Sequence, residues 1–315
     1  MGLFTHDASR VAYCFLPKVG CTFWIRVFTF LHNYTGDTGR VNSPWEIPRL
    51  KVHGHRHSHG FGWPAVKDRA MHYLRFMFVR DPFSRLWSAY IDKLFLPDFW
   101  SEIGVPAVRK IRGPNATAQA RKCGNDVTFA EFVEYSLTSS EPHYDPIYKR
   151  CDPCQYRPTV IGTMETFARD SLFLLRRMGL EWVLKDVDHQ EQQEKELTTL
   201  VDYNFERVSS RSFYLPCVTD ERLAELLWAA FQFNGYIPQD VPYKGAGREF
   251  SKEDFKSEVV RIFRQSQSRK SELKQQKKQI MKDAFGKLPK TLIEKIEAKY
   301  EPDIRYFGFS KYSLQ

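Results

Sequence analysis

The sequence FLPKVGCTF, at residues 15–23, joins two apolar segments through a short loop. The segment Val11–Leu16 is apolar and β-compatible, and Phe23–Leu31 is a dense apolar run. This order predicts a strand, a tight loop and then a helix. The first N–H groups of a helix lack partners within the helix, and the helix dipole favours an anion there. Because Lys18 adds positive charge and Thr22 adds a hydroxyl donor, we predict that the loop binds a phosphate-like group.

A second apolar run, Leu74–Val79, is predicted to be a strand that ends in a similar break. Asp81 can cap a helix, and Pro82 fits its first turn, where the missing N–H is not needed. The predicted helix has a single apolar face, formed by Phe83, Leu86, Trp87, Tyr90, Ile91 and Leu94. Arg80 offers a fork of donors, and Ser88 is placed two turns into the helix. We therefore predict a second anion site at this break.

A third apolar run, Thr159–Gly162, precedes a helix predicted to extend through Met178. Strands that alternate with helices indicate an α/β fold with a mainly parallel central sheet flanked by helices. Ligands of such sheets bind at the carboxyl ends of the strands. Two anion sites at successive strand ends fit one ligand with two separated phosphate-like groups.

The composition bounds the class of protein. The chain has 315 residues and is 42% hydrophobic, which excludes disorder as a description of the whole chain. Its 47 Lys and Arg against 38 Asp and Glu leave a formal net charge of +9. This charge favours an anionic partner: nucleic acid, acidic polysaccharide, nucleotide or membrane surface. No run approaches the about 18 apolar residues of a membrane span, and the amino terminus lacks a signal-peptide pattern.

The rest of the sequence suggests how the chain is organised. Residues 51–62, rich in Gly and His, and residues 97–125, punctuated by Pro and Gly, are predicted to be surface loops. Residues 251–290 are rich in lysine and are predicted to form a solvated helix or a mobile arm. We predict a catalytic domain over 1–240 and a basic, mostly helical extension over 241–315. The extension contains a possible repeat of the 215–236 segment.

Several motifs, taken in order, resemble those of the Golgi carbohydrate sulfotransferases, most closely the chondroitin/dermatan 4-O-sulfotransferase branch. FLPKVGCTFWIR at 15–26 resembles the 5′-phosphosulfate loop of that family, and FVRDPFSRLWSAY at 78–90 resembles its 3′-phosphate motif. His143–Pro146, Cys151–Cys154 and Ile161–Thr166 resemble its third block. The resemblance implies a P-loop-like sulfotransferase fold. Ile25 departs from the pattern, since a basic residue is common before Arg26.

The resemblance implies 3′-phosphoadenosine 5′-phosphosulfate (PAPS) as the sulfate donor, with no metal required. It assigns the 5′ end of the donor to Pro17, Lys18, Val19, Gly20, Cys21, Thr22 and Phe23, and the 3′-phosphate to Arg80 and Ser88. Ser210 and Arg211 are predicted to complete the donor site. Sulfuryl transfer spreads negative charge over the transferring group and the departing oxygen. Lys18 and the helix-end amides are therefore expected to stabilise the transition state.

An acceptor hydroxyl needs a general base within hydrogen-bond reach. His143, within the third block, is the predicted base. The competing candidates are His53, His55, His57 and His59, an alternating cluster that could also bind a transition metal. Because no cysteine or carboxylate lies beside this cluster, a loop on the acceptor side is the favoured interpretation, and we predict no metal site.

The six cysteines and two glycosylation sequons bear on the compartment. Cys151-x-x-Cys154 could suggest zinc or redox chemistry, but no second pair supplies further ligands. Structural disulfides in an oxidising lumen are the preferred interpretation, with partners that the sequence does not assign. Asn33-Tyr34-Thr35 and Asn115-Ala116-Thr117 are sequons of a glycoprotein. The resemblance implies the Golgi lumen and a type II membrane anchor in full-length members, so this chain is expected to be a truncated or soluble form.

The leading hypothesis is a PAPS-dependent carbohydrate O-sulfotransferase that acts on a glycosaminoglycan or glycoprotein glycan, with the chondroitin/dermatan type as the favoured acceptor. The alternative is a catalytically silent polysaccharide-binding protein that uses the basic tail and Arg109, Lys110, Arg112, Arg121 and Lys122. A third interpretation, a nucleotide kinase with a degenerate phosphate loop, lacks a Walker motif. Nucleic acid is not an expected partner, because aromatic residues do not interleave with the lysines of the tail.

Overall fold

The computed structural model describes residues 2–36, 39–54, 60–185, 188–245 and 250–312. The strands are β1 Gly2–His6, β2 Val11–Cys14, β3 Thr35–Gly36, β4 Gly39–Arg40, β5 Gly60–Gly62, β6 Leu74–Val79 and β7 Val160–Thr163. The helices of the amino-terminal half are α1 Cys21–Leu31, α2 Arg49–Gly54, α3 Trp63–Ala70, α4 Pro82–Tyr90, α5 Val105–Arg112, α6 Ala118–Cys123, α7 Phe129–Thr138, α8 Ile147–Arg150 and α9 Pro153–Tyr156.

The remaining helices are α10 Phe167–Arg177, α11 Trp182–Lys185, α12 His189–Ser209, α13 Asp220–Phe233, α14 Lys252–Gln265, α15 Lys270–Gly286 and α16 Lys290–Phe307. Short 3-10 helices cover Pro44–Glu46, Gly113–Asn115 and Ser266–Arg269, and π-helical turns cover Ile91–Phe95 and Trp100–Gly104.

The chain divides into two compact units, each assembled from separate stretches of the sequence. The first unit comprises 1–85, 140–187 and 299–311, and the second comprises 86–139, 188–298 and 312–315. The predicted boundary near residue 240 stays a prediction.

The first unit is built on a five-stranded sheet with the order β5-β1-β2-β6-β7. β2, β6 and β7 run parallel, with Tyr13 beside Phe76 and Phe76 beside Val160, whereas β1 pairs antiparallel with β2 and β5. The predicted α/β fold with a parallel central sheet is confirmed. The sequence analysis did not find β1 and β5, because strands of five and three residues carry little periodic signal.

Aromatic packing fixes the direction of α1 over the sheet. Trp24 and Phe28 of α1 are buried together with Tyr13 and Phe76 of the sheet. The rings of Trp24 and Phe76 lie 4.6 Å apart, and those of Tyr13 and Phe76 lie 5.0 Å apart. Aromatic side chains bury a large apolar area and hold defined ring geometries. This packing holds the amino terminus of α1 at the carboxyl end of β2, where the predicted anion loop lies.

The prediction of surface loops at residues 51–62 and 97–125 is wrong for most of these residues. Lys51–Gly54 belongs to α2 and Gly60–Gly62 forms β5, while residues 55–59 lie outside the described residues. β5 forms because its backbone hydrogen-bonds to that of β1, and this pairing does not depend on the type of its side chains. Residues 97–125 contain α5 and α6, and Val105, Ala107 and Val108 of α5 are buried. Burial of this apolar face outweighs the signal of the scattered Pro and Gly residues.

The second unit is helical in the part of the chain that the structure describes. A buried Asp98 stabilises it: its carboxylate accepts a hydrogen bond from Tyr203 Oη at 2.8 Å and forms ion pairs with Arg207 and Lys93, and its backbone carbonyl accepts from Arg207 Nε at 2.9 Å. The lysine-rich segment forms α14 and α15, and α14 buries Phe255, Val259, Ile262 and Phe263. The segment is thus helical, which was one of the two predicted alternatives, and it also has an apolar face that packs in the protein.

Both copies of the possible repeat contain a helix followed by a glycine at positive φ, Gly235 and Gly308.

Candidate functional site

The loop 17–22 follows β2 and leads directly into α1. Lys18 has a φ of 70°, an unusual backbone conformation for a residue with a side chain, and Gly20 has a φ of 77°. No side chain caps the amino terminus of α1, whose N-cap residue is Gly20. Left-handed residues before an uncapped helix are typical of anion-binding loops, and backbone strain concentrates at functional sites. The local geometry agrees with the predicted phosphate-binding loop.

Gly20 lies against an aromatic ring that would reject any side chain. A Cβ atom built on Gly20 would lie 2.3 Å from Cε2 of Phe167. Phe167 cannot easily move, because its ring packs against those of Phe78 at 4.8 Å and Phe23 at 5.7 Å. The shape of the loop therefore depends on a glycine at position 20 for two reasons, its positive φ and its close contact with Phe167.

Gly20→Ala is expected to destabilise the chain by about 2–4 kcal/mol, since it combines left-handed strain with an overpacked contact. Chemical denaturation measures the free energy of unfolding. Gly179→Ala is the matched control, because Gly179 has a φ of 69° and no atom within 4 Å of its built Cβ. Equal destabilisation by the two variants would mean that the Phe167 contact contributes nothing.

Arg80 connects the end of β6 to the loop 17–22. Its Nη1 donates to the backbone carbonyl of Lys18 at 3.2 Å, and its Nε donates to Oγ of Ser84 at 3.0 Å. Asp81 caps α4, as predicted, by accepting from the Ser84 N–H at 2.7 Å. Burial lowers the pKa of Arg80 to about 10, so its guanidinium is still cationic at neutral pH. The structure therefore brings Lys18 and Arg80, predicted at two different strand ends, to one place.

Arg85 is a buried residue of the candidate site that the sequence pattern does not single out. It is only 2% exposed, and its guanidinium donates to three backbone carbonyls: Pro17 at 3.1 Å, Pro142 at 2.7 Å and Asp145 at 2.5 Å. These carbonyls belong to the loop 17–22 and to the segment that contains His143. A planar fork of five donors suits this role, which lysine could not fill. Arg85 therefore joins the predicted anion loop to the predicted base segment.

His143 is oriented by Glu141. The Nδ1 atom of His143 lies 2.8 Å from Glu141 Oε1, and its backbone N–H donates to Glu141 Oε2 at 2.7 Å. When Nδ1–H donates a hydrogen bond to the carboxylate, Nε2 is the ring nitrogen that can accept a proton, which is the arrangement of a general base. Residues 55–59 lie outside the described residues, as does the side chain of His53, so the competing histidines stay predictions.

The other predicted donor residues have different positions. Pro17 and Val19 are buried, so their side chains belong to the core and only their backbone can face a ligand. Cys21 is partly exposed with a free thiol. Ser88, Ser210 and Arg211 belong to the second unit, where Arg211 pairs with Glu102 at 3.4 Å. Their contact with a donor stays a prediction.

The predicted structural disulfides are present, with pairings that the sequence left open. Cys14 is bonded to Cys151 in the first unit, and Cys123 is bonded to Cys217 in the second. Cys154 carries an exposed free thiol, so the Cys-x-x-Cys motif is not itself a disulfide. The first bond ties the end of β2, next to the loop 17–22, to the third sequence block.

Two searches of the described ranges gave negative results. Among these residues, no group of three or more His, Cys, Asp or Glu side chains could hold a metal ion. Within the same part of the chain, every helix is too short or too polar to cross a membrane.

Comparison with known proteins agrees with this geometry. Carbohydrate sulfotransferase 11 of Rattus norvegicus is 33% identical over 196 residues, which cover 58% of this chain and 54% of the relative. Carbohydrate sulfotransferase 12 of Xenopus laevis is 32% identical over 204 residues (57% and 49%), and carbohydrate sulfotransferase 14 of Danio rerio is 34% identical over 188 residues (56% and 48%). The chain thus spans about half the length of these relatives. No solved structure matches. Residues 1–233 match the family model described as the sulfotransferase family, and the chain belongs to that family.

Proposed function

We propose that this chain is a carbohydrate O-sulfotransferase that transfers sulfate from PAPS to a glycan hydroxyl. The observation that carries the proposal is the meeting of Lys18 and Arg80, where the guanidinium of one binds the backbone carbonyl of the other. Two cations from adjacent strand ends suit a donor with anionic groups at two positions. Family membership and the names of the relatives support the same reaction.

The predicted site residues have distinct proposed roles. Lys18 and the amides of residues 20–23 bind the phosphosulfate, and Lys18 stabilises the charge that develops on the bridging oxygen. Arg80 binds the 3′-phosphate together with Ser88, and Ser210 and Arg211 complete the donor site. Nε2 of His143 removes the acceptor proton, with Nδ1 held by Glu141. PAPS supplies the activated sulfuryl group when bound.

The acceptor is proposed to be a galactosaminoglycan of the chondroitin or dermatan type. The sequence resemblance and the net charge of +9 support a polyanionic acceptor. The two disulfides support an oxidising compartment, which we propose to be the Golgi lumen.

The silent polysaccharide-binding alternative has less support. Arg112, one of its proposed ligands, is engaged by Glu131 at 2.6 Å and Asp126 at 2.7 Å, and Lys110 donates to Thr138. Charges that are neutralised within the protein contribute little to binding a polyanion. In addition, a protein that does not bind a nucleotide would have no evident use for the contact between Arg80 and Lys18 in the first unit.

The direct test is transfer of radiolabelled sulfate from PAPS to desulfated chondroitin, dermatan and heparan chains. We expect incorporation into chondroitin or dermatan that depends on the donor. Binding of the chains without incorporation, weakened by salt and indifferent to the nucleotide, would support the alternative. A folded chain that binds no PAPS would contradict the proposal.

A further inference from the structure

The carboxyl-terminal segment 299–311 lies outside the family match, which ends at residue 233, yet it belongs to the first unit. Tyr300 and Asp303 in its helical part are each 1% exposed. Phe307 and Phe309 pack against the core of that unit. A segment with these buried contacts is an integral part of the first unit.

Asp303 caps a helix that cannot cap itself. The residue before α8 is Pro146, which has no side-chain donor or acceptor, and no side chain of the adjoining chain satisfies the helix. Oδ2 of Asp303 accepts from the N–H of Ile147 at 2.6 Å, and Oδ1 accepts from the N–H of Tyr148 at 2.9 Å. A carboxylate at the amino terminus of a helix accepts hydrogen bonds from these amides and interacts favourably with the positive end of the helix dipole. The cap comes from more than 150 residues away in the sequence.

Tyr300 binds the backbone at Tyr144, which is closer in sequence to the predicted base His143 than α8 is. Its hydroxyl donates to the backbone carbonyl of Tyr144, the residue next to His143. Lys299 lies 5.7 Å from the centroid of the Tyr144 ring. The segment from 144 to 148 is therefore held at three successive points by the carboxyl-terminal segment.

Asp303 also provides negative charge near Arg85. A buried guanidinium is stable only with counter-charges or hydrogen bonds around it. Tyr300, Asp303 and Asp145 all interact electrostatically with Arg85. Arg85 in turn binds the carbonyls of Pro142 and Asp145, on either side of His143. The segment 142–148 is thus bound by Arg85, Tyr300 and Asp303 together.

We propose that Tyr300 and Asp303 are positioning residues that hold His143 for proton removal, an inference that rests on the proposed sulfotransferase function. They act through the backbone groups of residues 144, 147 and 148, to which they hydrogen-bond, and they take no direct part in the reaction. In this chain, part of the active-site support therefore comes from a segment that the family match does not include.

The test uses Asp303→Asn and Tyr300→Phe in the full chain. The asparagine removes the charge and leaves one of its two oxygens as an acceptor, and the phenylalanine removes only a hydroxyl. We expect kcat to fall about tenfold to a hundredfold, because small displacements of a catalytic group are costly. The Kd for PAPS should change less than about twofold, since Tyr300 and Asp303 hydrogen-bond to residues 144, 147 and 148, outside the loop 17–22. Hydrogen exchange should be faster at the amides of Ile147 and Tyr148 in Asp303→Asn.

Glu301→Gln and Tyr306→Phe are matched controls on the exposed face of the same helix, and both should behave like the parent. If the parent transfers sulfate and both variants keep its kcat, the positioning role is refuted while the proposed function stands. A parallel loss of kcat and PAPS binding would indicate general destabilisation and also refute it. If the parent transfers no sulfate to any acceptor, the proposed function fails first and the positioning role falls with it.

Discussion

Lys18→Ala is expected to reduce sulfate transfer by about 10²–10³-fold, the usual effect of removing one preorganised charge from a transition state. Lys18 belongs to the loop between β2 and α1, to which the proposed function assigns the phosphosulfate group whose bridging oxygen gains charge. Steady-state kinetics with PAPS and desulfated chondroitin measure the loss. The fold should persist, because the residue belongs to a loop outside the apolar core.

The left-handed backbone of Lys18 allows a sharper version of this experiment. Lys18→Gly removes the same charge and relaxes the φ of 70°, so it should be as inactive as Lys18→Ala while being at least as stable. Lys67→Ala is the control, because Lys67 is an exposed lysine of α3 in the same unit. Activity near the parental level in either Lys18 variant would remove this residue from the mechanism.

His143→Ala is expected to lower kcat by about 10²–10⁴-fold, the range for loss of a general base, with PAPS binding retained. The separation of the two effects follows from the site, since His143 contacts Glu141 and the donor is assigned to the loop 17–22. Calorimetric titration with the unreactive nucleotide product measures donor affinity independently of turnover.

Glu141→Gln provides a graded comparison for His143→Ala. It keeps the shape of the side chain and removes the charge that orients the imidazole, so its loss of kcat should be smaller than that of His143→Ala. His72→Ala, at an exposed histidine of the same unit, should have no effect. If activity instead collapses only when His53, His55, His57 or His59 is replaced, the base has been assigned to the wrong histidine.

The parts of the fold that the sequence predicted correctly are those specified by local patterns. β6 has the predicted bounds, and α1, α4 and α10 follow the predicted breaks, because apolar runs and capping residues are signals within a few positions. The convergence of Lys18 and Arg80 was also predictable. Neighbouring parallel strands end at the same edge of a sheet, so the residues that follow them must lie close together.

The residues that the sequence did not reveal act through distant backbone. Arg85 falls on a polar face of α4 in the helical pattern, and only the tertiary structure shows that three carbonyls, from residues 17, 142 and 145, surround its guanidinium. Asp303 reaches amides that no pattern in its own helix indicates. Such side chain-to-backbone bonds leave no complementary residue type to recognise, since any residue supplies the same carbonyl or N–H.

The division of the first unit into three stretches of chain has a consequence for biosynthesis. Its sheet strands lie within residues 1–85 and 140–187, whereas the segment that caps α8 begins at residue 299. At about 5–20 residues per second, roughly 200 residues of synthesis separate the first stretch from the last, on the order of 10–40 s. During that interval Asp303 has not yet been synthesised. Arg85 therefore lacks its carboxylate, and α8 lacks its cap. The first unit is therefore expected to complete its buried contacts later in synthesis than a domain of contiguous sequence would.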